Sequence, residues 1–326
     1  HATSPSGAYA VLGDTLLHPA ARIGHTAADW VRDRDQAPKD TTALYDAGYL
    51  FARRSWDTFA QDPTNAYLTQ RFGPGRATAV HGHEDAGSFT LDAFGETLLR
   101  DSGLYAYEAG DYRLYFRGRS AHNVVDVPGR QYYPSAYSDL LAHELTADLV
   151  FSSVKITGLQ GVVWHRALMW CPDLHTLIVD DRVRVHGEDT VLQRWQLPVA
   201  ARVRVHHDGQ QVSTTTAEGN TLTFRQLAPY EAVSCVSGSD DPVEGWFSGE
   251  YRQKVAAPSL VLKEKDTTST RYTTVITYWP AASDRPVVEA ASRTSKTVDV
   301  VVGFDGRTAR LSLSSEQASR KPVPRG

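Results

Sequence analysis

From Tyr45 onward, short apolar runs rich in Val, Ile, Thr, Tyr, Phe and Trp alternate with Gly, Pro, Asn and Asp turn clusters about every ten residues. Clear runs are 48–53, 88–94, 122–127, 175–183, 272–279 and 307–313. Residues 92–99 read as a strand, a turn at Gly95 and a second strand, which predicts a hairpin. Because these strand signals follow one another without alternating helical segments, they predict an all-β fold, a large antiparallel β-sandwich of stacked sheets over residues 45–315. Residues 1–44 differ. Thr26 is a candidate N-cap for a short helix over 27–34, which has only a narrow apolar stripe and ends in polar residues 36–40. That segment is expected to be a linker or the end of a neighbouring helical domain. Residues 316–326 carry almost nothing apolar and read as a C-terminal tail.

Composition fits this picture: 326 residues, 41% hydrophobic, 22% charged and 10% aromatic, enough for a core that needs no staples. Disordered, collagenous and disulfide-scaffold classes are excluded. The 34 basic and 38 acidic side chains give a formal charge of −4, so no global basic field exists to attract nucleic acid or an anionic membrane, and neither is expected as a partner. No run approaches the roughly 20 apolar residues of a spanning helix. Cys171 and Cys235 allow at most one bridge. The N-terminus has no signal-peptide pattern and the sole methionine is Met169, so the chain is expected to be the later part of a longer, secreted or cell-surface protein.

The most informative chemistry is His81-Gly82-His83, then Arg100-Asp101, then Ala121-His122-Asn123. On an extended chain an H-x-H pair points both imidazoles to one face. Asp101 and His122 would join them if the hairpin folds alongside, giving a nitrogen-and-oxygen donor set suited to zinc or a similar divalent ion. The alternative is that His83 and His122 are simply hydrogen-bonded histidines of a β core. A cupin site needs a further carboxylate on the same strand face, and Glu84 would point opposite to His83, so that fold is set aside.

The full order of residues is more specific than any pair. His81-Gly82-His83-Glu84-Asp85-Ala86-Gly87-Ser88-Phe89, then Leu98-Leu99-Arg100-Asp101-Ser102-Gly103, then Tyr112-Arg113-Leu114-Tyr115-Phe116-Arg117 and Ser120-Ala121-His122-Asn123-Val124-Val125 resemble the heparinase II/III-like polysaccharide lyases. Trp164-His165-Arg166 and Trp246-Phe247-Ser248 fit as flanking features, so the resemblance spans roughly residues 9–301. It implies an enzyme of two parts, an N-terminal α/α toroid and a C-terminal domain of stacked antiparallel sheets, with this chain resembling the second part. Family members are bacterial enzymes that cleave uronic-acid-containing polysaccharides such as heparin, heparan sulfate and alginate by β-elimination.

By the same resemblance, a structural metal, most often zinc, is expected on His83, Asp101 and His122. His81 is the candidate catalytic histidine. Elimination needs the uronate carboxylate neutralised, a base for the C5 proton and an acid for the departing O4. Tyr112, then Tyr107, are the favoured tyrosines for proton transfer, with Tyr105 and Tyr115 also possible. Alternate Tyr and Phe positions on a strand would also fill a sandwich core. Arg113, Arg117, Arg119 and Asn123 are the candidate substrate-binding groups. Because arginines and acids balance around this region, a weakly charged uronate polymer is expected over highly sulfated heparin. The alternative function is a non-catalytic carbohydrate-binding or structural β-sandwich that keeps a structural metal.

Overall fold

The computed structural model describes residues 1–10, 39–74, 82–133, 136–206, 209–281 and 283–323. The helix expected over 27–34 and the catalytic candidate His81 lie outside these residues. The fold is all-β, built from stacked antiparallel sheets as the runs predict. A five-stranded meander orders Thr42–Tyr45, Tyr49–Arg53, Ala66–Arg71, Phe89–Ala93 and Glu96–Leu99. An eleven-stranded sheet is centred on two 21-residue strands, Thr176–Gln196 and Ser259–Trp279, which pair from Thr176↔Thr277 to Gln196↔Ser259. A four-stranded meander, Val287–Arg293, Val298–Phe304, Arg307–Leu313 and Ala318–Pro322, completes the stack.

The large sheet lies in the middle because its strands are apolar on both faces. In Val162–Cys171, Trp164, Leu168 and Trp170 join Leu50, Leu68, Leu91 and Leu98 of the five-stranded sheet in one buried core. The intervening Ala167, Met169 and Cys171 meet Val298, Val300, Leu311 and Leu313 of the four-stranded sheet in a second. Period-two alternation therefore serves two cores at once. The expected hairpin forms: Ala93 pairs with Glu96 across Phe94 and Gly95, both at positive φ, which matches the right-handed strand twist.

Four local expectations are corrected. The tail is not structureless: Ala318–Pro322 pairs with Arg307–Leu313 as an edge strand, and Ala318 is buried. Strand structure begins at Thr42, inside the segment expected to be linker, and residues 1–10 fold back so that Arg53 donates to the carbonyls of His1 (2.9 Å) and Thr3 (2.5 Å). Of 122–127 only Val125–Asp126 is a strand. Residues Asp111–Arg117 are an α-helix rather than a strand, with Asp111 in its first turn, Arg117 in its last and Arg113, Tyr115 and Phe116 buried. Cys171 is buried and Cys235 exposed, and both are free thiols. No helix among the described residues is long and apolar enough to cross a membrane.

Candidate functional site

Three irregular segments converge at one end of the five-stranded sheet. The first, residues 82–88, enters the strand Phe89–Ala93 as a loop, so His83 does not sit on an extended strand as the H-x-H argument assumes. The loop is pinned by backbone bonds from Glu84 N–H to Arg117 O, Gly87 N–H to Arg71 O and Ser88 N–H to Asp85 O, each 2.8 Å. Gly87 has φ +87°, and a Cβ there would approach Trp164 to 2.6 Å, so a larger residue would displace the loop. The second segment leaves Glu96–Leu99 through Arg100 and Asp101. The third is the 3-10 turn Arg119–Ala121, followed by His122 and Asn123.

His83, Asp101 and His122 are all buried, and one ligand atom from each lies within 4.8 Å of the other two. His122 Nδ1 is 2.6 Å from Asp101 Oδ2, and the two imidazole centroids are 5.4 Å apart. The other Asp101 oxygen, Oδ1, accepts the Gly103 N–H at 3.0 Å. Burial opposes charge on His122, but Asp101 outweighs it and raises the imidazole above its ordinary pKa. Among the described residues, His122 Nε2 is fully buried and has no hydrogen-bond partner. A buried nitrogen of that kind calls for a partner, and a histidine oriented by a carboxylate at its other nitrogen is the usual arrangement of a metal-ligating imidazole. Two imidazoles and a carboxylate at this separation fit a divalent ion of the zinc type.

Since these three residues sit on loops, their order comes from buried polar anchors. Asn123 Nδ2 donates to Phe89 O (2.8 Å) and Arg100 O (2.9 Å), while Oδ1 accepts the Gln196 N–H at 2.6 Å. One side chain thus ties all three ligand segments to the large sheet. Asn123 is fully buried, with its side-chain amide engaged by these three backbone groups. The Arg119 guanidinium donates to Val125 O and to Glu84 O, and the residue is 3% exposed. Arg117 donates to Gly82 O at 3.1 and 2.8 Å, holding the His83 loop. Arg113 is buried with its guanidinium 5.2 Å from the Tyr107 ring.

Sequence reasoning missed the deepest anchor. Arg166 donates to both Asp181 oxygens at 2.8 Å and to the carbonyls of Gly87 (2.9 Å) and Asn123 (2.5 Å). Asp181 also accepts from Trp164 Nε1 (2.9 Å) and Gln193 Nε2 (2.8 Å). The available signal was an arginine inside the apolar run 162–171, where an unpaired charge would be prohibitive.

The tyrosines gather around Trp246. Tyr112 is half-buried with its hydroxyl bonded to Asp240, and its ring centroid is 6.2 Å from Trp246. Tyr115 is buried, donating to Trp246 O and accepting the Trp246 N–H. Tyr105 packs 5.3 Å from Tyr112 and 5.6 Å from Phe116. Tyr107 is 47% exposed, the most accessible of the four, beside Tyr251 at 6.0 Å. This cluster reaches the metal-type site through covalent neighbours: Ser248 N–H donates to Ser102 O at 2.9 Å, next to Asp101.

Solved structures of similar shape include a heparan sulfate lyase and heparinases III by name. The heparan sulfate lyase HepC of Pedobacter heparinus aligns with a TM-score of 0.77 and 16% identity over 97% of this chain and 51% of its own. A heparinase III gene product aligns at 0.73 and 16%, covering 96% and 51%. Another heparinase III aligns at 0.69 and 17%, covering 94% and 50%. The chain spans about half the length of these structures, and at this identity the likeness shows the fold alone. No curated protein sequence matches. The model of the heparinase II/III-like C-terminal domain matches residues 36–278, a stretch that contains every metal-type ligand and anchor described above, and the chain belongs to that family.

Proposed function

We propose that this chain is the β-sheet part of a polysaccharide lyase that cleaves a uronic-acid-containing polysaccharide by β-elimination. The observation that carries the reading is the burial of His83, Asp101 and His122 together within a domain of the heparinase II/III-like family. In this reading the three residues hold a zinc-type ion whose positive charge fixes the three loop segments together. The ion's role is structural, and proton transfer belongs to side chains. His81 and, among the tyrosines, Tyr112 and Tyr107 are the groups to take the C5 proton and to protonate O4. The Tyr112 hydroxyl bonded to the Asp240 carboxylate is held in one orientation, as a proton-transfer group requires. Tyr107 offers the open edge of the same cluster, with Arg113 behind its ring.

An α/α toroid completes the cleft, by analogy with the two-part architecture of the family, and the working location is secreted or cell-surface. The charge of −4 favours a polymer of low sulfation. A second reading, a non-catalytic β module with a structural metal, draws support from the commitment of Arg119 and Asn123 to backbone groups. One experiment separates them. A panel of uronate polymers is incubated with the chain, alone and with a toroid domain of the family, and the ultraviolet absorbance of unsaturated uronate ends is followed. The lyase reading expects product from at least one polymer and its loss in His81→Ala, with the folded state retained. Absence of product from every polymer in the presence of the toroid would leave only the binding-module reading.

A further inference from the structure

At one edge of the eleven-stranded sheet, Arg202–Val205, Gln211–Thr215 and Thr221–Gln226 lie side by side next to Ser259–Trp279. On one face of these strands Val212, Leu222, Phe224, Ile276 and Tyr278 enter the core shared with the five-stranded sheet. The positions between them point the other way. Cross-strand pairing sets those in rows, Arg204–Ser213–Thr223–Thr277 and Gln211–Arg225–Val275. Val275 joins the second core, under the four-stranded sheet, and outward from it the face turns polar. The three outer strands carry three arginines, Arg202, Arg204 and Arg225, all exposed, and no acid.

This face contains a cavity of about 190 Å³. Gln211, Thr223, Arg225, Thr277 and Trp279 line it from the sheet, and Arg285 lines it from the segment that leads into Val287–Arg293. No acidic residue lines it among the described residues. Other arginines near the four-stranded sheet are spent on carboxylates, Arg182 and Arg271 on Asp180, Arg307 and Arg320 on Asp173. Arg225 and Arg285 are both exposed, and among the described residues neither has a hydrogen bond or an ion pair. Two like charges beside one cavity with no acid between them repel, and an anion bound there removes that cost. The Thr223 and Thr277 hydroxyl oxygens are 2.6 Å apart, so whichever donates to the other, one hydroxyl hydrogen remains for a further acceptor.

We propose that this cavity binds a tetrahedral oxyanion, a phosphate or sulfate group, on the guanidinium groups of Arg225 and Arg285 with a threonine hydroxyl as a third donor. A carboxylate has two coplanar oxygens, which a single arginine fork satisfies. Donors from two chain segments and from the sheet surface suit instead the several non-coplanar oxygens of a tetrahedral group. The site lies on the face of the large sheet opposite to the five-stranded sheet and its His83–Asp101–His122 cluster, and it holds whether or not the chain acts as a lyase.

Calorimetric titration of the chain with inorganic phosphate and with inorganic sulfate at constant ionic strength tests this, with acetate and chloride as comparators. Either tetrahedral ion saturates one site, and both comparators bind at least about tenfold more weakly, the loss expected for one charge-assisted contact. Arg225→Gln and Arg285→Gln each weaken binding by at least about the same factor. Arg310→Gln removes the same charge from an exposed position of the four-stranded sheet outside the cavity, and leaves affinity within about twofold. Glycerol phosphate separates the sources: affinity at or above that of phosphate assigns the cavity to an oxyanion carried on a larger molecule, and weaker binding assigns it to the free ion. Should either cavity variant fail to fold, the comparison of anions on the unaltered chain decides. No saturable binding of phosphate or sulfate up to about 10 mM, where even a millimolar site would fill, overturns the proposal. Equal binding of acetate does so too, as does an equal loss in Arg310→Gln, which would be a general charge effect. Polymer cleavage with no oxyanion binding would defeat this inference and leave the lyase reading intact.

Discussion

Asn123→Ala is the most direct test of how the site is held. The side chain is fully buried and makes three hydrogen bonds, to Phe89 O, Arg100 O and the Gln196 N–H. Removing it deletes three bonds of about 1 kcal/mol net each and leaves two carbonyls and one N–H buried, so the expected loss is about 3–6 kcal/mol. That is a large share of the roughly 5–15 kcal/mol available to a domain. Asn123→Asp keeps the shape and the acceptor for Gln196, yet sets a carboxylate oxygen against the carbonyls of Phe89 and Arg100. It is expected to be no milder than alanine. Denaturant unfolding followed by the fluorescence of the buried Trp164, Trp170 and Trp195 measures the loss, and zinc competition with a chelator measures the cluster. Zinc affinity should fall with Asn123→Ala, because the bonds that place Arg100 and Phe89 also place Asp101 and the His83 loop. A cost below about 1 kcal/mol would refute the anchoring argument, since a single exposed hydrogen bond costs that much. Lost stability with unchanged zinc affinity would refute the link between anchor and ligands.

Two further outcomes follow from burial elsewhere. His175 is 5% exposed and packed against Phe94, Tyr278 and Phe304, and burial depresses its imidazole to about 4. Its unfolded form binds a proton near pH 6.5 while the folded form does not, so its contribution is complete above that pH and is lost as pH falls toward 4. Up to about 3 kcal/mol of stability should disappear over that window, and unfolding curves of His175→Asn, whose side chain tolerates the left-handed φ of 47°, should show a flatter pH dependence. The thiols also differ. Cys171 is buried and pushed up to about 12, whereas Cys235 is exposed, so a thiol reagent should modify one cysteine in the folded chain and two after denaturation. Rapid reaction of both in the folded state would contradict the packing of Cys171 between the central and four-stranded sheets.

Much of the architecture is legible in the sequence because its strands obey a local period. The hairpin over 92–99 needs only its turn glycine, and the stacked-sheet class needs only the succession of β-branched runs. The exceptions lack that local signal. Ala318–Pro322 carries one buried apolar residue and is held as an edge strand by backbone pairing to its neighbour. Asp111–Arg117 is a single-helix exception set by where Phe116 and Tyr115 find burial, and its alternating aromatic residues mimic a strand. For the site, the residue types His83, Asp101 and His122 are legible from order and spacing, while the reason given for their alignment is not the one that operates. His83 lies on a loop, and no strand period aims it.

The same difference applies to Arg119 and Asn123, candidate substrate groups in the sequence whose side chains are bonded to backbone in the fold. A polar residue between metal-type ligands has the same letters whether it faces a cleft or the core; only burial and the identity of its partners decide. Here the decision follows from what loops require. Three segments without regular ladders must satisfy their own carbonyls and N–H groups inside the protein. Asn123, Arg117, Arg119 and Arg166 supply the missing donors to residues 82, 84, 87, 89, 100, 123 and 125. By contrast Tyr107, Tyr251 and the Arg252–Glu108 pair face solvent, so their polar groups stay accessible where those of the buried anchors are bonded to backbone.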